Sequence, residues 1–173
     1  MNLGKKPWVV MDKGRIGRLR YIAYAVAFGL ACLPGILIAN ILTAQGHATA
    51  GMILCLVTQV IVGIFNIMLA IRRLHDFDAS GWWALLVIPL VFFDPPRMVG
   101  PEPTPAGILS FIGLSLILSV YVLILLFRPG NFEKNRFGPE PAPNTPWVIA
   151  GASLALIMPI VAYGLVIIVQ RAQ

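Results

Sequence analysis

Along the 173 residues, uncharged apolar runs occupy positions 21–42, 49–71, 80–93, 106–127 and 147–169, and nearly all charge falls between or before them. Four of these runs have about the 20 residues that a helix needs to cross the hydrocarbon core. The third does not: at 1.5 Å per residue its 14 residues reach ~21 Å against a core of ~30 Å. It also contains Pro89 and runs into DPPRMVGPEPTP, where repeated prolines forbid regular helix. It either crosses with local membrane thinning and a partly buried extended tail, or it is re-entrant. The pattern predicts an all-α, polytopic membrane bundle of five hydrophobic segments, the third short and broken or re-entrant.

Composition supports a lipid solvent. The chain is 58% hydrophobic and only 12% charged, whereas ordinary soluble domains are roughly a quarter charged. A water-soluble domain must cover its outside with polar groups, while a bilayer lets the outside be Leu, Ile and Val. The net charge of +6 sits just outside the apolar runs rather than along one polar domain. This argues for a membrane surface and against nucleic acid. Cys32 and Cys55 lie inside apolar runs with no Cys or His at ligand spacing, which excludes a disulfide framework or zinc site as the organising feature. No cofactor is expected.

Positive charge also orients the chain. With five crossings and the N-terminus in the cytoplasm, 11 Lys and Arg lie inside and only Arg97 and Arg171 outside. A re-entrant third segment gives 10 against 3. Five crossings are preferred because they gather every motif on one face. Ala48, Thr49 and Ala50 form a small-x-small site, but the first run is longer than the 7 to 15 residues of a signal h-region and is read as an anchor.

No Asp, Glu, Lys, Arg or His lies within any of the five runs, which counts against an ion-coupled transporter. In the second run, Gln59 and Asn66 are spaced by seven, in line with Arg73, and share one helical face near Cys55 and Gly63. That face is either a substrate-lined path or a set of interhelical hydrogen bonds, and the latter is the expectation. Ser115 and Ser119 form a small-xxx-small packing pair; Pro159 and Gly164 can kink the last run.

Three polar clusters remain: GRIGRLRY at 14–21, RRLHDFDASGWW at 72–83 and RPGNFEKNRFGPEP at 128–141. Each has a local explanation. Arg72 and Arg73 meet the negative end of the second helix; Arg72 and Asp76, four apart, can pair; Asp78 or Ser80 can cap the third helix. Trp82 and Trp83 suit the membrane interface, and Gly138 before Pro139 marks a turn.

The lead GRxxRxxY, the hinge RRLHDxxxSGWW and the tail NRFGPxP, in this order around four apolar runs, resemble the bacterial family catalogued as domain of unknown function 805. The resemblance covers about 12–141 and implies a small multi-pass protein of the bacterial inner (cytoplasmic) membrane, a family without an established activity. The chain departs from the family pattern twice. Phe77, Asp78 and Ala79 stand where Gly and a basic residue are usual, and 147–169 adds a span to the usual four. The organisation expected is a basic lead at 1–20, a family-like four-helix domain at 21–141, and a linker with one further span at 142–173.

The leading functional expectation is a non-enzymatic membrane protein whose cytoplasmic face binds an anionic partner, either lipid headgroups or an acidic protein segment. Arg15, Arg18, Arg72, Arg73, His75, Asp76, Ser80, Trp82, Trp83, Asn135 and Arg136 are its candidate residues. Each basic side chain near an anionic leaflet contributes ~1 kcal/mol. Two other classes compete: a channel or transporter subunit using Gln59 and Asn66, which requires oligomerisation or a gap between helices, and an interfacial enzyme using His75 and Asp76 as acid and base; a homo-oligomer or a protein partner is compatible with the membrane reading. No nucleophile motif, metal cluster or phosphate loop accompanies that last pair.

Overall fold

A computed structural model describes residues 14–91, 104–155 and 157–158. Within them the apolar periodicity is helical throughout. Helix α1 spans Arg18–Ala44 and α2 spans Ala48–Asp76. A 3₁₀ helix, Gly81–Leu86, leads into the short α3, Val87–Val91. Helix α4 covers Pro105–Phe127, and the described part of the last run holds α5, Pro146–Ala155.

Helices α1, α2 and α4 are each long and apolar enough to cross a membrane. Their 27, 29 and 23 residues correspond to about 40, 44 and 35 Å. Their outward side chains are what a lipid-facing surface requires: Leu37, Ile53, Ile64, Leu109 and Leu116 are all exposed. Most of the fifth run lies outside the described residues, as do Arg97, Pro159, Gly164 and Arg171.

Helices α1 and α2 form an antiparallel hairpin closed by Gln45 and His47, whose N–H groups bond to the Ile41 and Leu42 carbonyls. Phe28 and Phe65 stack across it with ring centres 3.8 Å apart. Small residues, Ala39 against a buried Gly51, let the backbones approach near the closed end. Helix α4 opens on Thr104, whose hydroxyl accepts from the Gly107 N–H at 3.1 Å, with Pro105 in the first turn where its missing donor costs nothing.

Helices α2 and α4 finish at the same end of the bundle, because Arg73 reaches the Leu125 carbonyl at 2.8 Å. The segment that follows α2, Gly81–Val91, packs back against α2. Its start departs from a plain α-helix. Phe77 and Ala79 both donate to the Leu74 carbonyl, Asp78 takes φ +59°, and Ser80, not Asp78, provides the cap by accepting from the Trp82 N–H at 3.4 Å.

Burial concentrates at this end. Ala70, Leu74 and Phe77 pack with Ala84, Val87, Tyr121 and Leu125, flanked by Tyr21, Ile67 and Ile71. A smaller cluster joins α1 to α5 through Ala23, Val148 and Ala152.

Candidate functional site

The three polar clusters meet at the shared end of α1, α2 and α4, and Asp76 is their centre. Its carboxylate is 3% exposed, and the Arg15 and Arg73 side chains facing it are fully buried. Arg15 donates from Nε to Asp76 Oδ1 at 3.2 Å, while Arg73 donates from Nη1 to Oδ2. The pairing expected between Arg72 and Asp76 is replaced by these two. An i,i+3 neighbour and a residue 61 positions upstream occupy both carboxylate oxygens.

One carboxylate cannot balance two buried guanidiniums, and the remaining positive charge is met by helix-end carbonyls. The last carbonyls of a helix have no partner in their own helix and carry the negative end of its dipole. Arg73 takes two carbonyls at the end of α4, donating from Nε to Leu125 and from Nη2 to Arg128. The end of α2 is satisfied in return. The Asp76 carbonyl accepts from the Asn131 N–H at 2.8 Å and from Arg15 Nη2 at 3.2 Å, and the His75 carbonyl accepts from Asn135 Nδ2 at 2.8 Å. Arg15 also donates to the carbonyls of Asn131 and Glu133. Each helix is thus capped by residues from outside it, and the lead, hinge and tail close into one clasp.

Two glycines make the closure possible. A Cβ on Gly130 would collide with the Asp76 carboxyl group, so only a bare backbone passes there. Gly138 has φ +139°, which favours glycine, and exchanges both backbone hydrogen bonds with Asn135 at 3.1 Å. That tight turn carries Phe137, whose ring stacks on His75 with centres 3.7 Å apart and planes 5° from parallel. It also carries Arg136, which donates to the Asp78 carboxylate at 3.0 Å and to the Asp78 carbonyl at 2.6 Å. Arg128 lies over the Phe77 ring, 4.7 Å from its centre.

Eight of the eleven candidate residues therefore separate into two groups. Arg15 and Arg73 are held inside the clasp with fully buried side chains, Asp76 lies between them, and Asn135 is half-buried on the His75 carbonyl. His75, Ser80, Trp82 and Arg136 line a cavity of about 420 Å³ on the outer side of the hinge, with Phe137 beside them and Ile67, Ile71, Ala84 and Leu85 forming its apolar part. Trp82 is 79% exposed and Trp83 60%, next to that opening. Arg18 instead borders a separate cavity of about 270 Å³ with Asp76, Pro129 and Phe132, and Arg72 lends its carbonyl to the Ile16 N–H at 3.2 Å. Sequence reasoning missed Gly130 and the carbonyls of Leu125 and Arg128. The one signal for them was a pair of acids, Asp76 and Asp78, among arginines just past the end of an apolar run.

A family model described as "Protein of unknown function (DUF805)" matches residues 9–139, 131 of the 173 positions. The chain belongs to the DUF805 family. The match contains the whole of the clasp and ends at Pro139, just after the turn that seats Arg136 and Phe137. The DUF805 region thus coincides with what the clasp joins, and α5 lies beyond it. No curated protein and no solved structure matches the chain.

Proposed function

We propose that this DUF805 protein is a non-catalytic lipid-binding protein of the bacterial inner membrane, with its clasped end in the cytoplasm. In this reading the His75–Arg136 cavity takes the phosphate of one anionic phospholipid. The observation that carries the reading is the composition of that cavity. A guanidinium, a hydroxyl and an imidazole stand at its polar side, two indoles lie at or beside its mouth, and aliphatic side chains line the rest. A phospholipid has the same division, with a charged head joined to an apolar body, and Trp and Arg favour the depth at which the two meet.

Arg136 offers Nη1 beyond the Nε and Nη2 groups that Asp78 engages, and Ser80 offers its hydroxyl. His75 Nδ1 is buried with no partner among the described residues. Asp78 holds Arg136 in position and also offsets its charge, which makes the site selective for a ligand that supplies hydrogen-bond acceptors as well as charge. An interfacial enzyme is the weaker reading, because both Asp76 oxygens are already bound by arginines and the His75 ring lies flat against Phe137.

The test is native mass spectrometry of the full chain released from nanodiscs that mix phosphatidylglycerol with phosphatidylethanolamine. Arg136→Gln with Ser80→Ala is expected to lower phosphatidylglycerol retention about tenfold, the loss of roughly one charge-assisted hydrogen bond, with insertion unchanged. Equal retention by the variant rejects the reading. Retention of an acidic protein in place of lipid redirects it to a protein partner.

A further inference from the structure

A third cavity, of about 480 Å³, lies within the bundle between α1, α2, α3 and α4. Tyr21, Thr58, Gln59 and Asn66 supply its polar groups, and Val87 and Val122 form part of its wall. At 1.5 Å per residue, Asn66 and Gln59 lie about 10 and 20 Å along α2 from Arg73, well inside the apolar stretch. The cavity lining holds no ionisable acid or base other than the Tyr21 phenol.

The interhelical hydrogen bonds expected of this face are not made among the described residues. Thr58 and Asn66 donate back to carbonyls of their own helix, Leu54 at 2.8 Å and Val62 at 2.9 Å. The Gln59 amide and the Tyr21 hydroxyl engage no partner there. Beside Tyr21, the hydroxyl of Tyr121 is buried and unpaired as well. In hydrocarbon an unmet donor costs several kcal/mol. A polar face this deep, turned to a cavity and with the Gln59 amide and the Tyr21 hydroxyl unpaired among the described residues, calls for a ligand.

We infer that this cavity binds one uncharged amphiphile whose head carries carbonyl oxygens, a quinone-like ring on an apolar tail. The unmet groups are donor hydrogens, two on Gln59, one on Tyr21 and the second amide hydrogen of Asn66, beside the Gln59 and Asn66 amide oxygens; a donor is the rarer group to be left unmet in a protein interior, which favours a ligand that presents acceptors. The volume is within the 300–1,000 Å³ common for small-molecule sites. A charged head is disfavoured because the cavity offers no counter-charge. The site is independent of the phosphate cavity, which lies on the outer side of the hinge and shares no lining residue with it.

The probe is a decyl-substituted benzoquinone added to the full chain in phosphatidylcholine nanodiscs, read by native mass spectrometry and by the thermal unfolding midpoint. The parent chain is expected to retain one equivalent. Gln59→Leu with Asn66→Leu is expected to reduce retention at least tenfold while leaving the midpoint unchanged or raised, since unpaired amides are removed. Arg136→Gln with Ser80→Ala is expected to retain the probe fully. Equal retention by the leucine variant, or none by the parent chain, overturns the inference. A lowered midpoint in the leucine variant also overturns it, because the amides would then be structural. So does loss of the probe in the Arg136 and Ser80 variant, which would place the site elsewhere.

Discussion

The two ends of α2 are built on opposite principles. Toward Ala48 the helix presents Met52, Ile53 and Leu56 outward, residues that any apolar side chain could replace because lipid does not distinguish among them. Toward Asp76 the same helix buries Arg73, His75 and Asp76, and each polar atom there has a particular partner or cavity. Between hydrocarbon and protein the apolar residues gain little by changing neighbours, so they fix where the chain sits but not which helices meet. The charged cluster supplies that specificity. Breaking a buried ion pair from one side leaves a charge with no water and no partner, whereas exchanging Leu for Ile on the lipid face leaves nothing unmet.

The sharpest contrast should come from Asp76→Ala, which strands Arg15 and Arg73 together. A loss of about 3–5 kcal/mol is expected, read as a lowered thermal midpoint in detergent, against no measurable loss for Ile53→Leu. Gly130→Ala should follow at about 1–3 kcal/mol, because the added Cβ displaces the Asp76 carboxyl. Arg73→Lys keeps the charge but cannot span Asp76, Leu125 and Arg128 at once, so it should lose roughly 2 kcal/mol instead of behaving as a conservative change. The smallest expected effect is Asp78→Asn. The Arg136–Asp78 pair is largely exposed and contributes under about 1 kcal/mol, and Asn tolerates the left-handed backbone of this position. Stability should hold while phosphatidylglycerol retention rises, since the charge that offsets Arg136 is gone.

Helix placement was legible in the sequence because the apolar runs are long. The run at 49–71 lies within α2 and the run at 106–127 within α4, and α2 continues past its run to Asp76, where Arg73 and Asp76 find partners. The gathering of three polar clusters at one end was legible too, from charge asymmetry and the preference for five crossings. What each arginine does there was not. Arg15 and Arg136 look alike in sequence, yet one is sealed against Asp76 and the other stands at the mouth of a cavity. The difference lies in contacts over 61 and 58 positions, which no local spacing encodes. Ser80 was readable only as one of two candidate caps with Asp78, whereas the 3₁₀ geometry of Gly81–Leu86 was hidden behind an apolar pattern that an α-helix would share.

The most direct test is a double-mutant cycle on Arg15 and Asp76, with stability measured for Arg15→Gln, Asp76→Asn and the pair combined. A shared buried contact predicts that the double variant loses less than the sum of the singles, by about 1–3 kcal/mol of coupling. Additive losses would mean that the lead does not meet the hinge at Asp76, and the clasp as described would not exist.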